Sequence, residues 1–152
     1  MIRIKWAQGT SYLIAWDRVV LCSCEVKTLA GGTRPKWMIV RTMPGDLPYD
    51  PREFPKGVWE VRTPRPRTDP YKRPYFIPTN AFQEVEVWGV EDRAYTRPTG
   101  ETDRDEGYGI HFSESRTTLG CVKIESERDL VWVVDKIEKA LREGEVVEME
   151  VV

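Results

Sequence analysis

The sequence predicts a mainly β domain, sandwich- or barrel-like, with one helix placed before its last strand. Three observations carry this. Period-two patterns dominate the first half of the chain and return from Phe82 to Val90, the alternation of a half-buried strand. Nine prolines fall between positions 44 and 78, a density that helix interiors and central strands do not accept. A period of three to four residues occurs once, between Ser126 and Gly144.

The elements follow in chain order. Ile2, Ile4 and Trp6 share one face of a first strand, with Arg3 and Lys5 on the other. Tyr12 to Trp16 is a short apolar run, and Asp17-Arg18 reads as the hairpin turn after it. Val19 to Lys27 follows as a long strand with Val20, Cys22, Cys24 and Val26 on one side, ended by Gly31-Gly32. Trp37 to Arg41 is a further short strand. The proline-rich region 44–78 is expected to be mostly stiff, irregular loop, interrupted by one strand from Val58 to Arg62. Such a loop suits a lid or binding surface, and equally a rigid surface wrap.

Phe82 to Val90 alternates as a strand, and a polar loop from Thr99 to Gly107 separates it from a strand at Tyr108 to Phe112. Cys121 to Ile124 is another short strand. Ser126 stands at an N-cap position with Asp129 three residues later, in the arrangement of a capping box. Leu130, Val133, Val134, Ile137 and Leu141 form the apolar face of the helix, Lys139 and Arg142 suit its C-terminal dipole, and Gly144 stops it. Val147, Met149 and Val151 then share a face of the closing strand.

Length and charge bound the function. The 152 residues are expected to form a single domain, 1–152, and 40% hydrophobic residues suffice for a core. With 23 Lys+Arg against 25 Asp+Glu there is no basic excess for a nucleic-acid groove. No apolar run approaches the roughly 20 residues of a membrane span. The opening alternates where a signal peptide is continuously apolar, so the chain is expected to be soluble and not addressed for export. Asn80, Gln8 and Gln83 are the only amides among abundant Glu, Arg and Pro, a bias reported for proteins of hot environments.

Three cysteines, at 22, 24 and 121, are too few for a disulfide framework. Cys22 and Cys24 share a strand face and lack the further Cys or His ligands of a metal site, so a core face accounts for them better. Asp103, Asp105 and Glu106 offer oxygen ligands for Ca²⁺ but not the EF-hand spacing, and a solvated loop is the simpler reading. No metal and no cofactor is expected. The stretch from Arg62 to Arg73, with Arg65 and Arg67 between prolines, is locally basic and suits an anionic polymer or plain solvent.

The single histidine, His111, precedes Cys121 by ten positions. That spacing suits two neighbouring strand ends joined by a loop, which brings an imidazole beside a thiol. A cysteine becomes a nucleophile when such a neighbour takes its proton or stabilises its charge. Gly120 permits an unusual bend and close approach of a substrate carbonyl, and the backbone N–H groups there are candidates for an oxyanion hole. A small buried thiol and a structural histidine would fit the same residues.

Ile110-His111-Phe112, followed by Thr118-Leu119-Gly120-Cys121-Val122-Lys123-Ile124, resembles the active-site signature of the YkuD-type L,D-transpeptidases, which has an upstream His and then Ser/Thr-His-Gly-Cys, an aliphatic residue and Arg or Asn. More faintly, Tyr12 to Gly32 resembles that family's opening hairpin, Pro55 to Val61 its TPxGxF/Y-x-I strand, and Ser126 to Val152 its usual ending. The resemblance implies an L,D-transpeptidase-like fold, Cys121 as nucleophile, His111 as base and Gly120 in the turn. Thr118 occupies the Ser/Thr position, and Lys123 stands where the family has Arg or Asn. Leu119 replaces the His that commonly precedes Gly-Cys, and the gap from His to Cys is short.

The implied reaction is peptidyl transfer on peptidoglycan stem peptides through a thioester on Cys121. Arg116 or Lys123 would hold a substrate carboxylate, and Ser113 or Ser115 would orient the imidazole. Two other readings stand beside it: a phage- or virion-associated or effector cell-wall peptidase on the same fold, and a structural or wall-binding β-domain, for instance in a tail assembly. The implied setting is the cell wall, reached by export or delivery, with a virion or the cytoplasm otherwise.

Overall fold

The computed structural model describes residues 1–24, 53–67, 74–91, 94–112 and 120–152. They form a mainly β structure: a curled nine-stranded sheet, a separate two-stranded ribbon and, among the described residues, one helix before the last strand. The strands are β1 (Ile2–Trp6), β2 (Tyr12–Ala15), β3 (Arg18–Ser23), β4 (Gly57–Glu60), β5 (Arg65–Pro66), β6 (Tyr75–Pro78), β7 (Phe82–Glu91), β8 (Ala94–Glu106), β9 (Gly109–Phe112), β10 (Val122–Ile124) and β11 (Glu148–Val151), with helix α1 at Glu127–Arg142. The large sheet runs β4-β11-β1-β2-β3-β10-β9-β6-β5. Two of its pairings are parallel, β1 with β11 and β9 with β10.

The period-two pattern decides which face is dry. Ile4 and Trp6, Leu13 and Ala15, and Val20 and Cys22 turn inward from β1, β2 and β3. Ile77, Ile110, Val122 and Ile124 continue that layer through β6, β9 and β10. Helix α1 covers it with Leu130, Val133, Val134, Ile137 and Ala140, giving one contiguous core. Leu141, expected on this face, is half-buried at its margin. The helix begins as the sequence indicates: Ser126 is extended, and its Oγ accepts a hydrogen bond from the Asp129 N–H at 3.0 Å. Its end passes through Glu143 to Gly144, whose φ of +79° suits glycine.

The β2–β3 turn sits one residue earlier than expected. Trp16 and Asp17 are its central residues, with φ of +48° and +61°, the backbone of a two-residue hairpin matched to strand twist. The strand expected from Val19 is described to Ser23, and the one expected at Trp37 to Arg41 lies outside the described residues.

Two segments expected as loops are strands. Within the proline-rich region, β5 and β6 join the large sheet, and β6 lies directly beside β9. The prolines are accommodated because β5 is the edge strand, and because Pro78 ends β6 and contributes only its carbonyl, to the Arg62 N–H. The stretch expected as a polar loop at Thr99 to Gly107 belongs, up to Glu106, to β8, paired with β7 from Phe82↔Glu106 to Glu91↔Ala94. Backbone ladder bonds need no apolar side chain, so a polar stretch such as Thr99 to Glu106 can pair as a strand without a period-two signature. Its base is anchored by Arg104 lying 3.8 Å over the Phe82 ring and by Gln83, which donates to the Tyr108 hydroxyl at 2.8 Å.

Replacing Ser126 with Ala removes the cap of the only helix described and is expected to lower unfolding free energy by about 1 kcal/mol. Ser126→Asp should retain most of it, which urea denaturation of the two variants will show.

Candidate active site

Strand β9 ends the segment that carries the histidine, and β10 begins just after the bend that carries the cysteine. Their parallel register pairs Val122 with Ile110, Lys123 with His111 and Ile124 with Phe112. Ile110, Val122 and Ile124 point into the core, each 0% exposed, so His111 and Lys123 lie side by side on the opposite face. The same row extends across the sheet in both directions, because Phe76 of β6 pairs with His111, Arg65 of β5 with Phe76, and Ser23 of β3 with Lys123. Arg65, Phe76, His111, Lys123 and Ser23 therefore form one cross-strand ladder outside the core.

Cys121 enters this face one step before β10. It is half-buried, and its Sγ lies 3.8 Å from the Gly107 carbonyl oxygen. Gly120 before it has φ +118°, a region that L side chains avoid, so the bend that delivers the thiol requires glycine. Only Val122 separates Cys121 from Lys123, and extending the register by one step sets the cysteine beside Gly109 and diagonal to His111.

His111 is held firmly. It is 5% exposed, its ring centroid lies 6.3 Å from that of Phe76, and its Nδ1 is 3.0 Å from the Phe112 carbonyl oxygen. A carbonyl only accepts, so Nδ1 carries the proton in this contact and the neutral ring has its lone pair at Nε2. Lys123 is 6% exposed, and its register with His111 holds it in the sheet rather than out in solvent. Arg116, Thr118 and Ser113, with Ser115, lie outside the described residues.

Three groups on this face had no signal in the sequence. Phe76, in a segment expected as loop, packs against His111. Gly107 presents its carbonyl to the thiol. Gly109 leaves room for Phe76: a Cβ there would meet Phe76 Cζ at 2.5 Å and collide with the Ile77 carbonyl oxygen. Phe76 and Gly107 also line a cavity of about 610 Å³, whose wall thus includes one neighbour of the imidazole and one of the sulfur, while His111 and Cys121 themselves lie behind it. Its size is that of a small-molecule or peptide pocket.

The other two cysteines differ from Cys121. Cys22 is 1% exposed inside the core, and burial pushes its thiol from 9.0 up to about 12, with smaller contributions from Cys24 and Glu125. Cys24 packs at the edge of the core, with its Sγ 3.3 Å from the Gly120 carbonyl oxygen. Both therefore take the core-face reading. Asp105 accepts from the Tyr108 hydroxyl, and Glu106 pairs with Arg104 at 3.1 Å.

Compared with protein-family models, curated proteins and solved structures, the chain matches none. The functional reading therefore rests on its own residues.

Two predictions follow from this geometry. Gly109→Ala displaces Phe76 against fixed backbone and is expected to cost about 1–3 kcal/mol in stability, measured by denaturant unfolding. Below pH 9 the Cys22 thiol is protonated in both folded and unfolded chains, so it adds no pH dependence there. Between pH 9 and about 12 the unfolded chain releases a proton that the folded chain keeps, so stability falls as pH rises, at up to about 1.4 kcal/mol per pH unit. Cys22→Val should flatten that alkaline slope relative to the parent protein.

Proposed function

We propose that the protein is a cysteine acyltransferase of the L,D-transpeptidase type, acting on peptidoglycan stem peptides with Cys121 as nucleophile and His111 as base. The observation that carries this is the β9–β10 register, which sets the glycine-hinged Cys121 and the imidazole of His111 on one face outside the core. The resemblance of the His111 and Thr118 to Ile124 segments to that family's signature supports the same reading.

In this mechanism His111 Nε2 takes the Cys121 proton, helped by the Nδ1–H bond to the Phe112 carbonyl, which fixes the tautomer. The thiolate attacks the carbonyl of a peptide bond that follows a diamino acid. The oxyanion formed is met by backbone N–H groups at the Gly120-Cys121 bend. The C–N bond breaks, the imidazolium returns its proton to the departing D-amino acid, and a thioester remains on Cys121. An acceptor amine attacks the thioester to form a cross-link; water attacking instead gives hydrolysis.

Iodoacetamide at neutral pH is expected to modify Cys121 first and to leave Cys22 untouched until the protein unfolds, as peptide mapping by mass spectrometry will show. With purified sacculi, Cys121→Ala should abolish both cross-linking and fragment release. His111→Ala should slow the reaction by about 10²–10⁴-fold. Labelling that bypasses Cys121, or a His111→Ala variant of unchanged rate, overturns the proposal. New cross-links identify transfer, and released fragments identify a peptidase.

A further inference from the structure

The cavity walled by Phe76 and Gly107 has a charge that the acyl-transfer chemistry does not use. Three guanidinium groups line it, from Arg62, Arg65 and Arg104, against one carboxylate, Glu106. Glu106 lies 3.1 Å from the Arg104 Nε, so that carboxylate is already matched. Arg62 and Arg65 are exposed and have no ion-pair partner among the described residues.

Their positions are set by backbone. The Arg62 N–H donates to the Pro78 carbonyl at 2.9 Å, and Arg65 pairs in register with Phe76, which places its guanidinium 5.8 Å over that ring. Arg67 lies 5.6 Å over the same ring, and its buried Nε–H finds no acceptor among the described residues. A guanidinium resting on an aromatic face keeps its N–H edge for a planar anion, and carboxylate matches that edge with two parallel bonds. Two polar side chains of the wall are already engaged: Thr79 Oγ1 donates to the Tyr108 carbonyl and accepts from the Ala81 N–H, and Asn80 Oδ1 accepts from the Glu60 N–H. The cavity therefore offers donors and positive charge over an apolar floor of Phe76 and Pro78.

We infer that this cavity binds the free carboxylates of a peptide acid, through Arg62 and Arg65, and thereby selects acyl donors whose carboxyl groups are not amidated. The identity of the peptide as an acyl donor rests on the proposed function; recognition of the carboxylates does not. Gly107 both lines the cavity and lies 3.8 Å from the Cys121 Sγ through its carbonyl oxygen, so one residue separates the cavity from the sulfur.

The test uses Cys121→Ala protein, in which binding is read without turnover, and two synthetic stem-type tetrapeptides ending in D-Ala. One carries free carboxylates, and the other has them amidated. Calorimetric titration should show the acid form binding more tightly and weakening as salt is raised. Arg62→Gln and Arg65→Gln should each weaken the acid form about tenfold and leave the amidated form unchanged. Arg65→Lys should not restore it fully. Arg128→Gln, an exposed arginine of α1, serves as control. Equal binding of the two peptides, no binding of either, or insensitivity to both arginine substitutions overturns the inference. Acylation of Cys121 in the unmodified protein, followed by mass spectrometry, is read separately. Arginine-dependent binding without acylation upholds the cavity and defeats the transferase reading; acylation without arginine dependence does the reverse.

Discussion

The parallel pairing of β9 with β10 is the constraint on which the rest of the site depends. In an antiparallel hairpin that paired Phe112 with Cys121, strand alternation would turn His111 to the face opposite the thiol. Parallel pairing instead brings the entrance of β10 beside the entrance of β9, so Cys121 stands next to Gly109 and near the Gly107 carbonyl, with Lys123 level with His111. The core holds this register. Shifting either strand by one residue would turn Ile110, Val122 and Ile124 out of the dry interior and bring His111 and Lys123 into it.

That coupling gives one sheet two chemistries. Inward, Cys22 is surrounded by apolar side chains and keeps its proton far into the alkaline range. Outward, Cys121 sits half-buried at a glycine bend among polar neighbours. The residue type is the same; the face of the sheet and the solvent it sees distinguish an inert thiol from a candidate nucleophile. Gly109 and Phe76 link the two sides. The missing side chain at 109 lets the Phe76 ring fold over the strand, where it supports the imidazole and forms the floor of the arginine-lined cavity.

The arginines show how a stiff, proline-rich segment acquires a role. Chain 61–67 runs antiparallel to 74–79, held by Val61↔Thr79, by the Arg62 N–H on the Pro78 carbonyl and by the Arg67 N–H on the Pro74 carbonyl. Such a framework fixes the backbone stations of Arg62 and Arg65 along the cavity rim, so binding costs side-chain but little backbone freedom. Charge held this way recognises shape as well as sign.

By itself the sequence determined the parts whose signal is local. Alternation marked β1 and the inward residues of β3 and β11, while three-four spacing with Ser126 and Gly144 bounded the helix, because a side chain's face is set by backbone geometry within a few residues. The nomination of His111, Gly120 and Cys121 came from the same kind of short-range reading. Only the tertiary structure decided that Tyr75–Pro78 is a strand beside β9, that the polar stretch through Glu106 is half of a ribbon, and that β9 and β10 run parallel. Each of these depends on a partner distant in the chain, and hydrogen bonds between backbones leave no mark in side-chain type. The arginine-lined cavity belongs with them: its wall joins residues 62–65 and 76–81 to residues 104–108, a proximity created by strand order and not by spacing along the chain.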